Sequence, residues 1–393
     1  MQRPLDGITV LAFEHAVAAP VCTRHLADQG ARVIKIERPG VGDFARAYDQ
    51  RVEGMSSYFA WANRSKESLT LDLKHPQARV VLERLLAKTD VVVQNLAPGA
   101  AARLGLSIDS LRPRFPRIIV CDISGYGLDG PYRDKKAYDL MVQAEAGLLS
   151  VTGTAEAMAR AGFSAADTAA GMYAYSNVLA ALLLRERTGQ GSRIDVSMLE
   201  ALAEWMGNPM YYTYGGAAPA PRTGAFHPSV VPYGPFAAGD GGVVMMGLQN
   251  EREWVVFCRE VLEMPEVAED PRFVTNTLRT EHRAALEEII LGVFAGMGAA
   301  DVQARLERAG LATATVNTPA DLWSHPQLAH RQRWTEVDSP SGPIKALLPP
   351  GANDCFVPRM DAIPGLGAHT DAILDELGFA PGDVAGMREA GAI

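Results

Sequence analysis

Asp167 lies in the run Gly162-Phe-Ser-Ala-Ala-Asp-Thr-Ala-Ala-Gly-Met172, where a long apolar helical pattern begins. The plainest account of an acid there is a helix cap. A second account is chemical and compatible with the first. Ala165, Ala166, Ala169, Ala170 and Gly171 carry almost no side chain, which would leave room for a bulky electrophile. The positive end of a helix would keep the acid ionised, and only a carboxylate is a nucleophile.

Other residues could hold an anionic ligand. His15 follows the first strand-like segment and Arg38 the second, while Lys74 and Arg103 fall near later strand or loop ends. Each alone reads as a structural histidine or a solvated charge. Together they would put several cations on one sheet edge, a plausible cradle for phosphates. Tyr126, in Gly125-Tyr-Gly127, reads as part of a turn-rich loop. Asn250, in Gly247-Leu-Gln-Asn-Glu-Arg-Glu-Trp254, reads as the cap of the next helix, in a loop that could also cover a site.

These residues need elements to position them. Apolar or alternating runs at 8–13, 32–37, 68–72, 90–94 and 117–121 read as strands, and 18–29 and 77–88 as helices, with Gly30 as a left-handed helix end. Strands separated by helices imply an α/β fold with an open, mostly parallel sheet. A helix at 168–187, a strand at 194–196 and a helix at 198–206 follow. Residues 215–229 are rich in Gly, Ala and Pro and read as a linker. A hairpin at 234–248 and helices at 251–262, 283–295 and 300–309 then suggest a second, α+β domain. The expected organisation is a large domain over 1–215, a small one over 225–325, and a segment over 330–393 that returns to the large domain and carries a helix at 370–377.

Composition narrows the function classes. The 393 residues carry a net charge of −9, which disfavours a nucleic-acid partner. No apolar stretch approaches the ~20 residues that cross a bilayer, and no signal-peptide pattern opens the sequence. Cys22, Cys121, Cys258 and Cys355 are far apart. They read as buried thiols in a reducing cytoplasm, with no paired metal-ligand spacing. Glu14-His-Ala-Val-Ala-Ala-Pro20 stands where a dinucleotide-binding glycine fingerprint would be expected.

With these segments in view, the chain resembles the class III (CaiB/BaiF-type) CoA transferases, the family of formyl-CoA transferase and carnitine CoA transferase. The likeness is carried by 28–39, by Asn63-Arg-Ser-Lys-Glu-Ser-Leu-Thr-Leu-Asp-Leu-Lys74, and by 90–99. It continues in Ser124-Gly-Tyr-Gly127, Ala166-Asp-Thr-Ala-Ala-Gly171 and Glu-Leu-Gly-Phe at 376–379. The resemblance implies a Rossmann-like large domain, a small domain, and two chains interlocked as a homodimer. The site would then lie between the large domain of one chain and the small domain of the other. It also implies that Asp167 is the nucleophile and that CoA is the co-substrate, without a metal. CoA contacts would fall on His15, Ala16, Arg38, Leu71, Lys74, Asn95, Leu96, Arg103, Lys136 and Tyr138. Gly247 would supply an oxyanion donor.

Val17 stands where formyl-CoA transferases carry glutamine, and Gly247-Leu-Gln-Asn-Glu-Arg252 replaces a glycine-rich loop. The likeness therefore leans to the branch that moves CoA from succinyl-CoA to C4–C5 dicarboxylates such as itaconate, mesaconate or citramalate. Arg46, Arg222 and His227 are the candidates for a second carboxylate. Three rivals share parts of this reading: an intramolecular mesaconyl-CoA transferase, an α-methylacyl-CoA racemase, and a non-catalytic CoA-binding protein. The racemase is disfavoured because its proton-handling histidine is Tyr138 here, just before Asp139.

Overall fold

A computed structural model describes residues 2–393. The chain divides into two compact units. The first comprises the segments up to Leu148, Ala161–Asn208 and Gln332–Ile393; the second comprises Leu149–Arg160 and Pro209–Arg331.

The first unit is built on six parallel strands: β1 (Thr9–Phe13), β2 (Arg32–Glu37), β3 (Lys66–Thr70), β4 (Val91–Gln94), β5 (Ile119–Ser124) and β6 (Arg193–Ser197). Their order is β3-β2-β1-β4-β5-β6. The order reverses between β1 and β4, and open α/β sheets bind ligands at such a switch point, beyond the strands' carboxyl ends. Val91, Val92 and Val93 are wholly buried, as continuous apolar runs in a two-sided parallel sheet should be. The helices that matter most for the site are α1 (Ala18–Asp28), α2 (Ala78–Leu86), α3 (Asp139–Glu145) and α4 (Ala165–Thr188). Gly30 follows α1 with φ +110°, and a Cβ there would stand 2.7 Å from Arg3 Cβ and from Asp6 Oδ1. Glycine at the helix end is thus required by conformation and by space.

One expectation changes here. Ala165, Ala166, Ala169, Ala170 and Gly171 are buried in the core with Ala18, Ala19 and Cys22. A Cβ on Gly171 would lie 2.6 Å from the Ala18 carbonyl oxygen and 3.0 Å from Val21 Cβ. The small residues serve close packing of α4 on α1, not substrate access. Helix α4 also begins earlier than its apolar pattern suggests, at Ala165.

The second unit has a three-stranded antiparallel sheet, β7 (Tyr233–Ala237), β8 (Val243–Gly247) and β9 (Ala312–Thr315), with β8 in the centre. Its core gathers Phe236, Trp254, Phe257, Phe273 and Phe294. Asn250 caps the helix Glu251–Val256 by accepting from Glu253 N at 3.0 Å. The sequence pattern missed β9 and the C-terminal hairpin Trp334–Val337 with Ile344–Leu347, each strand only 4 residues long. Cys22, Cys121 and Cys258 are buried free thiols; Cys355, expected to be buried, is exposed. It lies in an irregular exposed stretch where its N–H turns back to Asn353. Among the described residues no helix is long and apolar enough to cross a membrane.

Charged side chains inside the sheet layer tie β1, β2 and β3 together. Lys35 Nζ contacts Glu14 Oε1 at 3.2 Å and Asp43 Oδ2 at 2.8 Å, and Lys66 Nζ contacts Glu14 Oε1 at 2.6 Å, with every one of these side chains 0% exposed. Burial pushes Glu14 upward, yet Lys35 and Lys66 hold it below the usual carboxylate value. Lys66 falls to about 8 because burial and Lys35 outweigh Glu14. Removing one member would strand the others without water. Lys35→Met is therefore expected to destabilise the protein by ~3–5 kcal/mol, read as a lower urea midpoint.

Candidate active site

The turn after β1 carries His15 and Ala16. Asn95, just beyond β4, grips this turn from across the switch point: His15 N donates to Asn95 Oδ1 and Asn95 Nδ2 donates to the His15 carbonyl, both at 2.9 Å. Ala16 adopts φ +61°, a conformation that costs a non-glycine residue roughly 1 kcal/mol or more. Asp43 holds it there, accepting from Ala16 N at 3.1 Å through the carboxylate whose other oxygen meets Lys35. The buried ion network thus fixes the backbone of the turn.

Asp43 also caps the 3-10 turn Phe44–Ala47, accepting from Ala45 N at 2.9 Å. From this turn an aromatic row extends: His15 stacks on Phe44 with centroids 5.4 Å apart, Phe44 meets Tyr48 at 5.7 Å, and Tyr48 meets Tyr58 edge-on at 5.3 Å. Burial holds the His15 pKa below its ordinary value, so the ring is neutral near pH 7. Its buried Nδ1 has no partner among the described residues.

Asp167 is the third residue of α4 and is partly exposed. It does not cap the helix; neither does the side chain of Ser164 at the N-cap position. The cap comes from outside. Asp139 Oδ1, at the start of α3, accepts from Ala166 N at 2.8 Å and from Asp167 N at 3.1 Å. Burial, aided by the Asp139 charge, lifts Asp167 from 3.8 to about 7. The helix end was expected to keep the acid ionised, but here its N–H groups serve Asp139. The Asp167 charge is also felt at Tyr48, whose phenol is pushed up to about 12 by burial, then by Asp43 and Asp167.

The remaining expected contacts lie as follows. Arg38 follows β2, Lys74 lies beyond β3, Asn95, Leu96 and Arg103 lie beyond β4, and Lys136 and Tyr138 lie beyond β5. All follow the carboxyl ends of sheet strands along the chain. Arg38, Lys74, Arg103 and Lys136 are exposed and, among the described residues, in no ion pair. Leu71 is buried, its N–H on the Glu37 carbonyl. Tyr138 is 71% exposed. Arg46 is engaged by Glu37 through two bonds of 2.8 and 2.7 Å, and lies 3.7 Å over the Phe59 ring. Arg222, His227 and Gly247 belong to the second unit. There Arg222 donates to the carbonyls of Thr154 at 2.8 Å and Ala155 at 3.1 Å. His227 Nδ1 accepts from Val230 N at 2.9 Å and its ring stacks on Tyr233. Gly247 pairs with Tyr233, and a Cβ would stand 2.8 Å from that ring.

The first unit thus holds a proton-affine carboxylate whose charge reaches the aromatic row at Tyr48, and exposed cations that follow the sheet strands. Comparison with known proteins gives it a class. The family model for CoA-transferase family III matches residues 5–370. A succinyl-CoA:glutarate CoA-transferase of Mus musculus is 34% identical over 379 residues, covering 95% of this chain and 86% of its own. A succinyl-CoA–D-citramalate CoA-transferase of Chloroflexus aurantiacus is 33% identical over 402 residues, covering 98% and 97%. The crystal structure of a CaiB/BaiF family protein from Brucella suis superposes with a TM-score of 0.85 at 31% identity, covering 96% of this chain and 100% of that one. The chain belongs to CoA-transferase family III. It is a CoA transferase, and its co-substrate is a CoA thioester.

The raised affinity of Asp167 has a sign that can be checked. The native state binds this proton more tightly than the unfolded chain does. The stability it contributes is complete below pH ~4 and is lost as pH rises through about 7. Asp167→Asn removes that loss. The variant should melt at a higher temperature than wild type at pH 8, and the difference should vanish at pH ~4.

Proposed function

We propose that the enzyme moves CoA from succinyl-CoA to a C4–C5 dicarboxylate such as itaconate, mesaconate, citramalate or glutarate, with Asp167 as the nucleophile. The single observation that carries this reading is the Asp167 carboxylate itself: partly open, desolvated, and beside a second acid, Asp139. Such a group gains from passing its negative charge to a leaving thiolate. The names of two relatives support the acid class, since glutarate and D-citramalate are both five-carbon diacids.

The steps balance without a net proton. The Asp167 carboxylate attacks the thioester carbonyl of succinyl-CoA; the C–S bond breaks and CoA leaves as thiolate. The thiolate attacks the aspartyl carbonyl of the resulting mixed anhydride, releasing succinate and leaving an aspartyl-CoA thioester. The incoming carboxylate displaces CoA thiolate to form a new anhydride. That thiolate then takes the new acyl group and frees Asp167. Each exchange is divided into acyl transfers of similar difficulty.

In this reading Arg38, Lys74, Arg103 and Lys136 carry the phosphates of CoA as charge-assisted donors. His15, Ala16, Leu71, Asn95, Leu96 and Tyr138 shape the path of the carrier toward Asp167. The enzyme works in the cytoplasm as a homodimer, and CoA enters as a substrate and not as a resident cofactor.

The test is an acceptor screen with succinyl-CoA against glutarate, itaconate, mesaconate, citramalate and oxalate, on wild type and Asp167→Ala. The five-carbon diacids should accept CoA and oxalate should not. The variant should lose at least ~10³-fold in kcat, with the size of the particle unchanged by light scattering. Full activity in the variant would sink the nucleophile assignment. Turnover without any added acid would favour intramolecular transfer. The reactive form is the carboxylate, so log kcat/KM should fall with acid below a midpoint near 7.

A further inference from the structure

Asp139 takes two of the N–H groups that α4 presents at its start. Oδ1 accepts from Ala166 N at 2.8 Å and from Asp167 N at 3.1 Å. Oδ2 accepts from Gln143 Nε2 at 2.6 Å. Gln143 is wholly buried and holds the approach to the helix as well: its Oε1 accepts from Ala161 N at 3.0 Å and its Nε2 reaches the Phe163 carbonyl at 3.4 Å. One residue of α3 and its neighbour one turn on therefore clamp the whole turn that delivers Asp167.

An acid in the first turn of a helix normally gains from the free N–H groups there. At the start of α4, Asp139 already occupies those of Ala166 and Asp167 itself. We propose that Asp139 is a positioning residue which captures the helix N-terminus, fixes the Asp167 backbone and sets a negative charge beside the nucleophile. This role rests on Asp167 being the nucleophile. The charge disfavours the free carboxylate, and that penalty vanishes when Asp167 becomes an anhydride or thioester, since both are neutral. Asp139 thus favours the covalent intermediates over the resting enzyme.

The groups that face Asp167 agree with this account. Asp139 comes from α3, and the Tyr48 phenol lies beyond the Phe44–Ala47 turn. Among the described residues no lysine, arginine or histidine offsets the pair in the titration of Asp167. Asp43, which also acts on Tyr48, is turned to Lys35, Ala16 and Ala45.

The experiment compares wild type, Asp139→Asn, Asp139→Ser and Asp167→Asn, each as the full chain, with succinyl-CoA and an acceptor diacid. Asparagine and serine keep an oxygen that can cap the helix but lack the charge. The acid-limb midpoint of kcat/KM should fall by at least ~1 pH unit in either Asp139 variant, while the rate above pH 8 drops at least ~10-fold. A merely structural cap would not move the midpoint. An unmoved midpoint, in protein with wild-type circular dichroism and melting temperature, overturns the proposal. So does failure of both variants to fold, which would make Asp139 a scaffold residue. Activity retained by Asp167→Asn would instead overturn the nucleophile reading, so the two failures are distinct.

Discussion

The functional edge of the first unit depends on a cluster of buried charges. Lys35 and Lys66 face Glu14 and Asp43 with no exposed surface on any of the four side chains. Burying such groups is expensive, and a well-packed apolar cluster of equal volume could match or exceed its stability. An apolar cluster could not direct a hydrogen bond. Here Asp43 spends one oxygen on Lys35 and the other on the N–H groups of Ala16 and Ala45. Lys66 also binds the Pro20 carbonyl at 3.0 Å and Asn63 Oδ1 at 3.0 Å. Segments distant in sequence are thereby locked to one strand end. The left-handed Ala16 and the aromatic row starting at His15 both follow from that lock.

The electrostatics of Asp167 are decided by which of two opposed effects is larger. The end of a helix favours a nearby carboxylate by ~0.3–1 kcal/mol. One unit of proton affinity corresponds to ~1.4 kcal/mol, so a rise from 3.8 to about 7 exceeds anything the helix end supplies. Burial leads and Asp139 adds to it. The helix end has not been lost; its donors have been assigned to a different acid. Glu37, at the end of β2 in the same unit, shows the opposite outcome. Burial also pushes it up, but Arg46 and Lys35 pull it down to about 2. Two desolvated carboxyls in one unit are driven in opposite directions by whether a cation faces them.

Much of this was legible from residue order. The strands of the parallel sheet announced themselves as apolar runs, and the left-handed Gly30 and the cap at Asn250 follow from local chemistry. Asp167 stood out for its setting. The partner that defines it did not, because Asp139 is 28 residues away and no local rule links them. The role of the small residues was also misread: sequence shows that Ala and Gly leave space, but not that α1 fills it. A signal for the ion network did exist. Lys35 sits inside Arg32–Glu37, among Val33, Ile34 and Ile36, where a buried parallel strand should be apolar. A lysine that breaks such a run implies a carboxylate inside the fold. Arg46 and Arg222 illustrate the converse: a cation in the right stretch of sequence is not a free cation once Glu37 or backbone carbonyls have claimed it.

Helix packing then connects the lock at β1 to Asp167. Helix α1 starts immediately beyond Ala16, and the Ala18 carbonyl oxygen is what a Cβ on Gly171 would strike at 2.6 Å. Asp167 is one helical turn before Gly171 on the same helix. A close approach of α4 to α1 therefore occurs beside the turn that the buried charges hold. A larger residue at position 171 would force the helices apart and shift Asp167 relative to the turn at Ala16, with no other side chain changed. Displacement of about 1 Å is enough to cost ~100-fold in rate when reacting groups must align. Asp167 is placed from two directions: Asp139 fixes the start of its helix, and the absence of a side chain at Gly171 fixes how near that helix can come.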